Sequence, residues 1–185
     1  MLIYVKKYAI ITYTIKKGSD VMFSAREIAK WFIFKNALEQ KENIAINDDY
    51  EVYEGITHLK LQKLLYYAQG VYLALENKKL FEEPLIAWDH GPVVKEVYDE
   101  YCVFGRNQII IPYTESNAEI LERIENDEKV KNVLELVYNN FAIYTAWQLR
   151  EMSHVKGGPW DITPKNQKID EEKIKEYFKK EVVEE

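Results

Sequence analysis

Cysteine is almost missing from this chain: Cys102 is the only one in 185 residues. A lone thiol cannot close a disulfide within the chain. Nor can it complete a zinc site of four cysteines, or of two cysteines and two histidines. Both exclusions fit a reducing compartment, so a cytoplasmic location is expected. Histidine is scarce as well, and His58, His90 and His154 fall in no metal-binding spacing. No apolar run approaches the roughly 20 residues that span a bilayer. The stretch from Met1 to Met22 does not read as a signal peptide, because no compact apolar segment precedes a small-residue cleavage site. Gly157-Gly158 is not followed by lysine and then serine or threonine, so a phosphate-binding loop is missing. Basic runs are missing too: Lys78-Lys79 and Lys179-Lys180 are short, and the formal net charge is −6. Such a chain is repelled by phosphate backbones, which counts against nucleic acid as a partner.

What the chain has in quantity is apolar and aromatic surface. Hydrophobic residues make up 47% of it, and 14 residues are tyrosine. Tyrosine buries a ring while its hydroxyl finds water or a partner, so it suits half-buried seams and interfaces. The length fits one domain with a helical appendage. The expected fold class is mainly α, a compact helical domain around a central buried helix near residues 58–77, with minor short extended segments. Ser24 and Glu27 form a capping box that opens a helix to about Gln40, with Ile28, Ala29, Phe32, Ile33 and Leu38 as its apolar stripe. Residues 41–56 read as a polar loop. Thr57 caps the central helix, where Leu61, Leu64, Leu65, Ala68, Val71, Tyr72 and Leu75 recur at helical spacing. Gly70 inside it costs roughly 1 kcal/mol against alanine, and close approach of another backbone is the expected compensation. Leu85 to Trp88 reads as extended. Gly91-Pro92 breaks the chain, and Pro92 is placed in the first turn of a helix running to Phe104, which Gly105 ends. Ile109 to Pro112 reads as extended, 117–126 as a short helix. Asp127 caps a helix to Phe141, and Thr145 one to Ser153 carrying Trp147, Leu149 and Met152. A charged helix with Ile174, Tyr177 and Phe178 closes the chain.

Residues 1–21 differ in character from the remainder of the chain. Ile10 to Ile15 is rich in β-branched residues and reads as a strand without a clear pairing partner nearby. Lys16-Lys17-Gly18 must be encoded by purine-rich codons resembling a ribosome-binding site, spaced suitably before Met22. Two readings stand: a native start at Met22 with 1–21 as an upstream extension, or a genuine N-terminal strand. The expected organisation is residues 1–21 as extension, 22–166 as the helical domain and 167–185 as the charged helix.

The search for chemistry gives little. His58 at a helix start reads as a surface or capping residue. His154 near a helix C-terminus suits the dipole. Asp89 and His90 are neighbours in a tight turn and are poorly placed to act on each other. Cys102 reads as a small buried hydrophobe, with no activating base in view. No catalytic, cofactor-binding or metal-binding residue is assigned, no cofactor is expected, and the chain reads as no enzyme. A helix-turn-helix built on residues 24–40 and 145–153 would offer only Gln148 and Arg150 to base edges. That keeps a DNA-binding autoregulator of its own operon as the alternative reading.

One pattern is specific. Lys60-Leu61-Gln62-Lys63-Leu64-Leu65-Tyr66-Tyr67-Ala68-Gln69-Gly70 is followed by Leu80-Phe81 and Pro84, by Ala87-Trp88-Asp89-His90-Gly91-Pro92-Val93-Val94, and by Val97-Tyr98 and Phe104-Gly105. Thr145-Ala146-Trp147-Gln148-Leu149, Ser153-His154 and Gly158-Pro159-Trp160 come later. This order closely resembles the Panacea domain, the SocA-like family of prophages and bacterial toxin–antitoxin loci, over roughly residues 22–165. Lys95 departs from the proline often found there. The resemblance implies an antitoxin that binds and neutralises a partner toxin directly, or delivers it to a protease, with no membrane role. It leaves the toxin, the binding surface and the oligomeric state unnamed. The signature positions themselves (Lys60, Leu61, Gln62, Lys63, Leu64, Tyr66, Gln69, Gly70, Trp88, His90, Gly91, Pro92, Val93, Tyr98, Gly105, Trp147, His154, Pro159 and Trp160) read mostly as architecture.

Overall fold

The computed structural model describes residues 2–5, 9–12, 22–46 and 55–184, with residues 2–5, 9–12, 42–46 and 184 as backbone only. It is mainly α, built around one enclosed helix. That helix, α2 (His58–Glu76), starts where Thr57 Oγ1 accepts from Lys60 N at 3.3 Å and ends at Asn77 in the left-handed region. Every residue from Lys60 to Ala74 is buried. No face is left for water, so even its lysines and glutamines are enclosed.

Helix α1 (Ala25–Ile46) opens with the expected capping box: Ser24 N donates to Glu27 Oε2 at 2.8 Å, and Glu27 N donates to Ser24 Oγ at 3.3 Å. It runs past Gln40 because nothing before Ile46 is glycine or proline. Leu38 is 57% exposed and is not part of the stripe. The buried row continues Ile28, Phe32, Asn36 instead, and Asn36 Nδ2 donates to Tyr138 Oη at 3.1 Å. Residues 47–54 of the expected loop lie outside the described residues.

After α2, strands β3 (Leu85–Trp88) and β4 (Gly91–Val94) form an antiparallel hairpin with Trp88 opposite Gly91. Asp89-His90 is the two-residue turn, and Gly91 takes φ +98°. Pro92 therefore sits in a strand and not in a helix. The partner strand explains why. Ala87, opposite Pro92, turns both backbone groups the other way, its N donating to Gln167 O (3.0 Å) and its O accepting from Asn166 N (2.8 Å). The missing proline N–H has no ladder bond to make there. The helix expected from Pro92 begins only at Lys95: α3 (Lys95–Tyr101) gives way to one 3-10 turn, Cys102–Phe104, which Gly105 ends at φ +56°. Cys102 is half-buried in that turn, with Sγ 3.7 Å from Asp99 O, and not enclosed as expected. Ile109 to Pro112 joins no strand; Ile109 N donates to Ile56 O at 2.9 Å.

Helices α4 (Glu115–Asn126), α5 (Glu128–Phe141) and α6 (Ala146–Ser153) begin at Thr114, Asp127 and Thr145, whose side chains each accept from backbone N–H groups. Helix α7 (Glu171–Glu181), capped by Asp170, lays Phe178 against α2. A Cβ on Gly70 would overlap that ring, so the glycine admits an aromatic side chain and not a second backbone. Phe178 also meets Tyr66 edge-on at 5.2 Å, while Tyr67 stacks on Phe141 at 4.1 Å. Offset and edge contacts of this kind add about 0.5–1.5 kcal/mol each beyond area burial.

A three-stranded antiparallel sheet has the order β2 (Ala9–Thr12), β1 (Leu2–Val5), β5 (Val183–Glu184). The strand expected without a partner thus pairs along Ala9–Thr12, with Ile10 opposite Tyr4; Tyr13 to Ile15 lie outside the described residues. Among the described residues no helix is long and apolar enough to cross a membrane.

Candidate functional site

The polar members of the α2 motif act on backbone. Gln69 Oε1 accepts from Leu80 N (2.9 Å) and Phe81 N (3.2 Å), and its Nε2 donates to Phe81 O (2.9 Å). One amide thereby holds the turn after α2. Gln62 Oε1 accepts from Val94 N at 2.7 Å where β4 passes into α3. Lys63 Nζ donates to Pro92 O at 2.9 Å. Lys60 is buried beside them, while Leu61, Leu64 and Tyr66 belong to the core. Val93 of β4 is buried as well.

The outer side of the hairpin carries rings. Trp88 meets Tyr98 edge-on at 4.9 Å, and Tyr98 meets His58 at 5.6 Å. Trp160 Nε1 donates to Trp88 O at 2.8 Å, and Pro159, buried next to it, accepts from Thr163 Oγ1 at 2.6 Å. His58 is half-buried, and burial lowers the pKa of its imidazole. Its Nδ1 is buried without a hydrogen-bond partner among the described residues, so it is neither the surface nor the capping residue expected.

Beneath the hairpin tip, α2 and α6 bring four groups together. A Cβ on Gly91 would meet Lys63 Nζ at 2.6 Å, Ser153 Oγ at 2.9 Å and His154 Cε1 at 3.0 Å. Lys63 is 0% exposed, and burial pushes its amine down to about 7, with the nearby Arg150 charge adding to the effect. His154 Nδ1–H donates to Arg150 O at 2.7 Å, and Ser153 Oγ donates to the same carbonyl at 2.8 Å. The imidazole packs on Trp160 with centroids 3.6 Å apart. Burial lowers the His154 pKa, and the Arg150 and Lys63 charges push the same way. The ring is therefore held towards its neutral form, and a cationic dipole partner is not what the structure provides.

The other histidine and acid candidates stay apart. His90 is exposed in the turn, and the Asp89 carboxylate faces outward to an ion pair with Lys165, which lowers its pKa. Among the described residues no three His, Cys, Asp or Glu side chains gather closely enough to hold a metal ion. The two candidates for base contacts are engaged locally. Gln148 Oε1 accepts from Thr145 N at 2.8 Å in a capping box, and Arg150 lies over Trp147 at 4.7 Å while pairing with Glu151.

A family profile described as "Antitoxin SocA-like, Panacea domain" matches residues 61–161, more than half of the chain. This chain belongs to that family. The matched span holds most of α2, the hairpin, α3 to α6 and Trp160; α1 and α7, which cover other sides of α2, lie outside it. Among curated proteins, the chain is similar to the antitoxin SocA of Caulobacter vibrioides (strain NA1000 / CB15N), 33% identical over 111 residues. That alignment covers 58% of this chain and 59% of the relative, so the chain spans about three-fifths of its length. No solved structure matches. Within the Panacea match, sequence reading missed the Lys63–Arg150–Ser153–His154 cluster as a unit, since its members come from separate motifs that only the hairpin brings together.

Proposed function

We propose that this protein is an antitoxin that neutralises a partner toxin by binding it directly. The single observation behind the reading is the family match, which spans the hairpin, most of α2 and α6. The geometry is compatible with it: signature side chains such as Gln62, Lys63, Gln69 and Trp160 hold backbone in place. Covering a toxin's working surface needs a rigid shape and no reacting group. Large exposed apolar side chains are available for contact, Trp147 and Ile143 among them, and tryptophan is a residue type on which interface energies concentrate.

The test is genetic. The product of a toxin gene beside this one arrests growth when expressed alone, and co-expression of this chain restores it. If cells that keep the neighbouring gene stay healthy after deletion of this one, the reading fails. The fate of the toxin separates two modes of action. Direct neutralisation leaves its half-life unchanged, whereas delivery to a protease shortens it.

A further inference from the structure

Two basic side chains, Lys63 and Arg150, come close together under the hairpin tip. Lys63 Nζ donates to Pro92 O, and with its amine pushed down to about 7 it is only partly charged at neutral pH. Arg150 Nε is buried and has no acceptor among the described residues. Among the described residues its guanidinium pairs with Glu151, the next residue, whose side chain is 58% exposed while that of Arg150 is 20% exposed. Ser153 and His154 both donate to Arg150 O, while the Ser153 hydroxyl and His154 Nε2 keep lone pairs that can accept. The nearby Asp89 carboxylate points away to Lys165. Arg150 thus carries a buried Nε–H without an acceptor and a counter-ion that is itself exposed. An unsatisfied buried donor and an under-compensated charge are costly.

The surface above completes the pattern. Trp147 is 58% exposed, and the Arg150 guanidinium lies 4.7 Å over its ring. Arginine fixed on an aromatic face is ordered before a partner arrives, and its fork suits a two-point grip on carboxylate.

We propose that α6 is the docking element and that Arg150 receives an Asp or Glu side chain of the partner protein, with Trp147 as the apolar anchor beside it. The incoming carboxylate displaces Glu151 from the outward N–H groups of the guanidinium. The assignment to a protein partner rests on the antitoxin reading, whereas the preference for a carboxylate rests on the Arg150 guanidinium held over Trp147 with an exposed counter-ion.

The experiment uses the full chain with 15N-labelled arginine, following the Arg150 Nε–H resonance at fixed ionic strength. The probe is N-acetyl-glutamate amide; N-acetyl-glutamine amide is the neutral control, and N-acetyl-alanine and inorganic phosphate are competing sources of anion. A saturable shift with the glutamate probe and none with glutamine is expected. No saturation, an equal shift with glutamine, or tighter binding of the terminal carboxylate or phosphate overturns the assignment. In the growth assay, Arg150→Gln and Trp147→Ala should each weaken protection, consistent with a tenfold or greater loss of partner affinity, while melting temperatures stay near wild type. Full protection by Arg150→Gln sinks this docking site and leaves the antitoxin reading standing. Failure of the wild-type chain to protect sinks that reading, while the probe titration still decides the carboxylate preference.

Discussion

Replacing Lys63 by methionine tests what the enclosed amine does to the fold. In the unfolded chain the amine titrates near 10.5; in the fold it is pushed down to about 7. That gap corresponds to an upper figure on the order of 5 kcal/mol disfavouring the charged form. The sign follows from proton counts. Between about 7 and 10.5 the unfolded state holds more protons on this residue than the fold does, so stability rises with pH across that window. Below about 7 both states are protonated and the full penalty applies. Methionine keeps a similar length without the charge. It loses the Nζ–Pro92 O hydrogen bond and leaves that carbonyl unpaired, at about 1–3 kcal/mol. At pH 6 the Lys63→Met protein should therefore be more stable by about 2 kcal/mol, or about 4–8 °C in melting temperature for a chain of this size. By pH 9 the wild type should have recovered roughly 3 kcal/mol and the order should reverse. Calorimetric melts of both proteins from pH 6 to 9 read this directly. Parallel curves, or a variant less stable at pH 6, would refute the burial reasoning.

Other perturbations have equally definite outcomes. Gly70→Ala places a methyl group in the Phe178 ring, and chemical denaturation should show a loss of about 1–3 kcal/mol. Gln69→Ala frees the backbone of Leu80 and Phe81 from a buried amide; urea unfolding should report a loss of about 2–4 kcal/mol, with faster amide exchange at both residues. For His154, whose pKa is lowered by burial, stability is present above its ordinary value and declines as pH falls through the range below 6.5. Histidine ring NMR should then show the Nδ1–H tautomer at pH 7, and Arg150→Gln should move the midpoint upward. A titration unaffected by Arg150→Gln would mean that its charge does not reach the ring.

Much of the architecture was legible because local chemistry repeats. Ser24, Thr57, Asp127 and Thr145 each start a helix where their side chains predict it. The apolar spacing of Leu61, Leu64 and Leu65 identified the central helix. What stayed hidden depends on what covers each face. Lys63 and Gln62 look like solvent-facing positions until the hairpin closes over them. Pro92 reads as a helix start because proline suits one equally well, and only the strand partner's outward-turned backbone admits it in β4. Leu38 reads as part of the apolar stripe, while Asn36 takes the buried row through a hydrogen bond to Tyr138. The candidate site was the least legible part. Its members come from Lys63, Gly91 and the 150–154 segment, and no periodicity links positions so far apart in the chain.

Titrating purified chain into a fixed amount of purified toxin, with no protease present, tests the central claim most directly. Direct neutralisation predicts that toxin activity falls in proportion to added protein and reaches zero at one fixed mole ratio. Complete loss at a small fraction of that ratio, or undiminished activity at excess, would contradict it.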